Sequence, residues 1–137
     1  MDDCVFCKIV QGSLPSRRVY EDETVVAFHD VNPVGPIHVL IVPRTHFPTM
    51  NDLAEDDKIL SHMGKAARNI ARDLGIDRDG YRFYVNVGRG GGQVVFHLHA
   101  HLIAGRSLGM ALIKIAVGFA IVSRKLLALL GLADRRM

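Results

Sequence analysis

The chain has 137 residues and a mass of 15.1 kDa, the size of one ordinary domain. Hydrophobic residues make up 49% of it and charged residues 23%, which excludes a disordered, collagen-like or disulfide-stapled chain and leaves a core that can bury itself unaided. The net charge of +3 is uneven, because residues 1–109 carry twelve Lys+Arg against thirteen Asp+Glu while residues 110–137 carry five against one; the pI of about 9.1 therefore belongs to the tail, and the body has no electrostatic footprint for nucleic acid.

In chain order, the first feature is the pair Cys4 and Cys7. A disulfide across so short a loop closes little chain entropy, and two cysteines are too few for a secreted framework. The acidic start, with no apolar core of signal-peptide length, reads as an intracellular, reducing, cytoplasmic context. Residues 4–11 form a short apolar-periodic piece ended by Gly12, one or two turns of helix. Residues 18–21 and 24–29 flank the acidic Glu21-Asp22-Glu23 and suggest a hairpin. Asn32-Pro33 and Gly35-Pro36 punctuate a loop, and the β-branched run 38–43 reads as a strand buried on both faces. From 56 to 74, Ile59, Leu60, Met63, Ala67, Ile70, Ala71 and Leu74 recur at spacings of three and four, with Gly75 just beyond, which predicts the long helix. Residues 81–87 read as a strand, 88–92 as a glycine loop and 94–103 as a last strand. Short-turned strands around one long helix predict an α+β domain on an antiparallel sheet. The glycine loop precedes a strand instead of opening a helix, so neither dinucleotide-binding nor P-loop chemistry is supported.

The strongest chemical signal is Phe96-His97-Leu98-His99-Ala100-His101-Leu102-Ile103. On a strand, His97, His99 and His101 would line one face, roughly 7 Å apart in succession. One histidine there would usually be a plain surface residue. Three in strict alternation inside an apolar run point to function, since histidine is neither a favoured strand former nor an easy core residue. Neutral imidazole serves both as a metal ligand and as a nucleophile near pH 7. Cys4, Cys7 and His46 supply further donors, and one of the three histidines would complete a Cys₂His₂ tetrahedral set. The two thiols alone could equally be buried side chains.

The order CVFCKI (4–9), AFHDVNPVGPIHVLIVPRTH (27–46) and NVGRGGGQVVFHLHAHLI (86–103) resembles the histidine triad (HIT) nucleotide-binding proteins of the Hint-like branch. The resemblance covers residues 4–109 and implies a HIT-like five-stranded antiparallel sheet with one long helix and a short N-terminal helix. It implies hydrolysis of a purine nucleoside phosphoramidate through a covalent nucleotidyl-histidine, with His99 as nucleophile, His101 at the phosphate and His38 in support. Cleavage splits into two displacements, and the departing amine needs a proton. The same resemblance puts Asn86, Gly92 and Gln93 in the phosphate loop. It makes Val5, Phe6 and Ile9 the wall for the base, and Phe28, His29, Asp30 and Val31 the stretch that holds base and ribose, with Asp30 accepting from the ribose hydroxyls. Outside the family, Phe6, Ile9 and Phe28 would read as core and Asp30 as a turn residue. The bacterial members that carry the two cysteines imply a structural zinc on Cys4, Cys7, His46 and His97, no organic cofactor, and a homodimer. Asp22, Glu23, His62 and the acids at 55–57 are left as solvated surface and helix N-terminal charge.

Two positions depart from the family. Val94 stands where Ser or Thr often follows the loop glutamine, which removes a hydroxyl donor at the phosphate. It motivates a rival reading as a nucleotide- or partner-binding module with little turnover; a dinucleoside polyphosphate hydrolase is a second rival. Residues 110–137 form an apolar, basic extension. Leu112, Ile115, Phe119, Val122, Leu126 and Leu129 make a heptad-like stripe, so an extra C-terminal helix is expected there. A helix packed on its own domain or across a dimer ranks first and a basic interfacial membrane helix second. A transmembrane anchor ranks last, because the longest uncharged run, 115–123, is far shorter than the ~20 residues of a span.

Overall fold

A computed structural model describes residues 3–105. The extra helix expected over 110–137 lies outside the described residues. Five strands form one antiparallel sheet: β1 (Arg18–Glu21), β2 (Val25–His29), β3 (Ile37–Pro43), β4 (Arg82–Val85) and β5 (Ala100–Ala104). Their order is β1-β2-β3-β5-β4, so the last strand inserts between β3 and β4. Two α-helices accompany them, α1 (Val5–Gln11) and α2 (Ile59–Asp73). This is the α+β arrangement expected from the sequence.

The sheet divides the core into two layers. Its pleat sends Val25, Ala27, Val39, Ile41, Ala100 and Leu102 to one face, where they meet Ile59, Met63, Ala66, Ala67 and Ile70 of α2. The opposite face presents Val26, Phe28, Leu40 and Val42 to Phe6 and Ile9 of α1. Residues 39–43 are buried without a break because β3 is covered on both sides. Each large apolar side chain so buried contributes roughly 1.5–3 kcal/mol, and most of that stabilisation lies under α2.

Several boundaries differ from the sequence expectation. The long helix begins at Ile59 instead of 56, because residues 54–57 form a turn and the Asp57 carboxylate accepts the Ile59 N–H at 2.8 Å. Leu60 points outward from it. The strand expected over 81–87 is confined to Arg82–Val85. The largest correction concerns 94–103: only its last part is strand. Before Ala100 the chain crosses the loop after β3, where Leu98 N–H donates to Phe47 O and His97 Nε2 to Pro43 O. Those bonds replace a ladder, so the strict alternation of His97 with His99 and His101 does not come from one ribbon. Asp22 is also no idle surface acid. It accepts the N–H groups of Thr24 and Val25 and the Tyr20 hydroxyl, and so shapes the β1–β2 turn.

β5 ends in a tight fit. Gly105 has φ +103°, and a Cβ there would stand 2.7 Å from Pro36 Cγ. Gly105→Ala therefore combines a left-handed backbone with a clash, and should cost about 1–3 kcal/mol in urea unfolding. Gly90→Ala, with open space and no such φ, should change stability by less than about 0.5 kcal/mol.

Candidate active site

The short helix α1, the end of β2 and the segment leading into β5 enclose a cleft of about 1070 Å³. Val5, Phe6 and Ile9 form one wall, and Phe28, His29, Asp30 and Val31 a second. Asn86, Gly92, Val94, His99 and His101 close the end nearest β5. Of the residues expected at the nucleotide or in catalysis, only Gln93 and the supporting His38 do not line this cleft. Leu14, Pro15, Ser16, Arg17, Asn32, Pro33, Leu40 and Val95 line it too. Leu14 to Arg17 were missed because nothing in a loop following a short helix marks which side chains turn inward, and Asn32, Pro33, Leu40 and Val95 because they read as turn or core residues.

Gln93 does something else. Its side chain accepts from Gly88 N–H and donates to the carbonyls of Pro48 and Val95, while its own N–H donates to Gly88 O. It is buried and organises the glycine loop, and its amide does not face the cleft. Gly92, just before it, has φ +84°, and a Cβ added there would stand 3.8 Å from the Asn86 side-chain amide, so the left-handed backbone lets the loop turn beside the cleft. Val31 and Val94 are 90% and 86% exposed and form its rim. The Asp30 carboxylate accepts Asn32 N–H through Oδ1 and lies with Oδ2 3.3 Å from His38 Nε2. It thus makes the turn that its position before Asn32-Pro33 suggested and still faces the cleft with lone pairs to spare.

The hydrogen bonds fix which nitrogen of each buried imidazole carries the proton. His99 Nδ1–H donates to His97 O at 2.7 Å, leaving the Nε2 lone pair free. His38 Nδ1 accepts from Val34 N–H, so His38 Nε2–H donates to His101 Nδ1 at 2.9 Å. His101 then carries its proton on Nε2, a buried atom with no hydrogen-bond partner. The cleft thus holds an imidazole with an open lone pair at His99 and one with an unspent N–H at His101, ring centroids 5.0 Å apart. Asp30, His38 and His101 are close enough to suggest a metal cluster, but the Val34 bond keeps a proton on His38 Nε2 and that proton is spent on His101, with the Asp30 carboxylate alongside.

Burial is the main force lowering the pKa of His38, His97, His99 and the half-buried His101. It outweighs Asp30, which pulls His38, His99 and His101 the other way, and the Pro43 carbonyl on His97. For His101, repulsion from His99 and His38 adds to burial and takes the value to about 4. The rings are therefore neutral at pH 7, as a nucleophile and a lone-pair donor must be.

A second cluster lies behind the cleft. Cys4 and Cys7 of the first turn, His46 from the loop after β3, and His97 bring four donor atoms together. His97 Nδ1 is 3.4 Å from Cys4 Sγ, 3.6 Å from Cys7 Sγ and 3.1 Å from His46 Nδ1, which is 3.3 Å from Cys7 Sγ. A tetrahedral ion with bonds of about 2.0–2.3 Å needs donors about 3.3–3.8 Å apart; the three sulfur–nitrogen separations meet this and the His46–His97 pair falls just short of it, so the donor set suits a metal. His97 Nε2–H is held by Pro43 O at 2.8 Å, which turns the Nδ1 lone pair toward the sulfurs.

The HIT domain family model matches residues 11–108. This chain is a HIT protein. It is 45% identical over 109 residues to the purine nucleoside phosphoramidase of Escherichia coli K12, covering 79% of this chain and 92% of that one. Among solved structures, a histidine triad protein from Clostridium difficile superposes with a TM-score of 0.77 at 45% identity, covering 79% of this chain and 95% of that one. A Zn-bound histidine triad family protein from Mycobacterium smegmatis gives 0.70 at 34% identity, covering 78% of each.

Depressed histidine pKa values make this HIT domain acid-sensitive. The unfolded chain, with histidines near 6.5, binds protons that the folded state refuses, so stability falls as pH drops below about 6.5 and levels off only below the folded values. His101 faces His38, Asp30, His99 and Tyr84, and its move to about 4 is worth up to about 3 kcal/mol. The thermal midpoint should fall steadily from pH 7 to pH 4.5, and His101→Asn should flatten that decline.

Proposed function

We propose that this HIT protein is a purine nucleoside phosphoramidase that works through a nucleotidyl group carried on His99. The observation that supports it most directly is the pairing of an open His99 Nε2 lone pair with the unpartnered His101 Nε2–H, both in a cleft walled by Phe6 and Phe28. The relative named purine nucleoside phosphoramidase, 45% identical over most of the chain, supports the reaction class.

The chemistry follows from those atoms. The base packs on Val5, Phe6 and Ile9, and Asp30 accepts from the ribose. His99 Nε2 attacks the α-phosphorus, forming an N–P bond as the P–N bond to the leaving amine breaks. The amine takes a proton from solvent water as it departs, and the water that attacks in the second step gives one back. Water then attacks the same phosphorus, releases the nucleoside monophosphate and returns the electron pair to His99. His101 Nε2–H donates to a phosphoryl oxygen as charge builds on it, and His38 keeps that N–H in place. His99 Nδ1–H on the His97 carbonyl stabilises the imidazolium-like charge of the intermediate.

The test is an adenosine 5′-phosphoramidate. Wild type should release the amine, and His99→Ala should lose at least about a thousandfold in kcat while still binding adenosine monophosphate. Mass spectrometry of acid-quenched wild type should find the nucleotidyl mass on the peptide containing His99. Bound nucleotide without amine release would instead establish a binding module, the reading that Val94 at the rim favours.

The Cys4, Cys7, His46 and His97 set is proposed to hold a structural zinc, supported by the donor spacing and by the Zn-bound relative. When bound, the ion ties α1 to the loop after β3 and leaves His99 free. Purified protein should contain one zinc per chain. Cys4→Ala should lose it and lower the thermal midpoint, whereas a stable, metal-free wild type would end the assignment.

The remaining elements of the reading are a HIT domain over residues 1–109, a separate role for residues 110–137, a cytoplasmic location and a homodimer. Among the described residues, no helix is long and apolar enough to cross a membrane. Phe83 on the outer strand β4 and Leu60 on α2 are exposed apolar residues that a second copy would cover. Light scattering of the full chain measures the association state.

A further inference from the structure

On the cleft face of the sheet, Tyr84 of β4 is the cross-strand neighbour of His101 of β5. The two rings lie almost parallel, with 13° between planes and 4.7 Å between centroids. The contacts of Phe6 with His97 and His99, and of His46 with His97, are edge-on, and His38 is tilted 40° from His101. The Tyr84 ring is held in turn by the Arg82 guanidinium, 5.3 Å from its centroid. A hydrophobic filler beside the triad would need no such alignment.

The imidazole of His101 turns about a soft, roughly two-fold torsion. Two restraints are needed to fix it. The His38 Nε2–H bond to Nδ1 chooses between the two orientations related by a half-turn. It does not by itself stop the ring from tipping out of plane, and a flat aromatic face does.

We propose that Tyr84 is a positioning residue for His101, its ring setting the plane in which His101 accepts from His38 through Nδ1 and presents Nε2–H to the cleft. The role belongs to the aromatic face, since the Tyr84 hydroxyl makes no hydrogen bond to the histidines. Its kinetic consequence rests on the phosphoramidase reading, in which His101 donates to the developing phosphoryl charge. Its structural consequence does not.

The experiment uses the full-length protein with Tyr84→Phe, Tyr84→Leu and Tyr84→Met, each matched to wild type in association state by light scattering. A ring free to tip carries Nδ1 off the line of the His38 N–H and loosens the bond that selects its tautomer, so imidazole ¹H–¹⁵N spectra should show His101 as a single Nε2–H tautomer in wild type and Tyr84→Phe, and as an averaged pair in Tyr84→Leu and Tyr84→Met. With adenosine phosphoramidate, the Leu and Met variants should lose about tenfold in kcat with KM within about twofold, and Phe should restore wild-type turnover. A wild-type His101 spectrum in the aliphatic variants, or a Phe variant as impaired as Leu, overturns the proposal. If wild type itself releases no amine, the phosphoramidase reading fails and the spectra still decide the role of Tyr84. If Leu does not fold, Met, whose unbranched, flexible chain adapts to the gap without a ring face, supplies the same spectroscopic and kinetic readout.

Discussion

Burying an imidazole costs free energy unless its polar atoms find partners, and three of them are buried here with the half-buried His101 beside them. Each is stabilised by committing one nitrogen to a fixed partner, a carbonyl for His97 and His99, a backbone N–H for His38, a neighbouring ring for His101. That commitment has a chemical result. Once one nitrogen is spent, the state of the other is decided, so His97 turns a lone pair to the thiols, His99 a lone pair to the cleft, and His101 a proton to the same cleft. Folding and reactivity are settled by one set of bonds.

The scaffold supplies those partners from different places. Pro43, at the end of β3, receives the His97 proton, and Val34, in the loop before it, gives one to His38. Gln93 and Leu98 fasten the crossing segment to the loop after β3 through Pro48 and Phe47. The segment that bears His97 and His99 therefore gains rigidity from side-chain and loop contacts instead of a sheet ladder. It can send two histidines separated by one residue to different sites, which a regular strand would forbid.

Much of this was legible in the sequence, and the limits have physical causes. The periodic apolar face of α2 and the unbroken run of β3 are burial patterns, and both elements appear close to where they were expected. Three candidate donors, Cys4, Cys7 and His46, were readable from residue type, the family resemblance singled out His97 as the fourth, and the four converge. The pleated triad was not, because alternation of polar and apolar residues is also what a crossing segment shows when it alternates between two environments. Gln93 looked like a ligand because glutamine beside glycines suggests a loop that grips phosphate, yet its amide is used up on carbonyls that only the folded chain brings near. Asp22 was overlooked because one acid among three in a turn carries no mark of which will accept the backbone N–H groups. Tyr84 was invisible as a partner of His101, since cross-strand register is not written in either strand.

The wall and the reaction centre of this cleft stand on different parts of the chain. Val5, Phe6 and Ile9 come from a seven-residue helix, while His99 and His101 are carried by the sheet and its approach. A helix that short has little stability of its own, and it holds its place through its apolar contacts on the sheet. The shape of the cleft wall is therefore only partly separable from the imidazoles it faces. Phe6 stands edge-on to His99, 5.1 Å between centroids, so its exchange would reach the imidazole as well as the wall, whereas the exposed Val5 touches neither ring, which makes Val5 the natural handle for altering what the cleft admits.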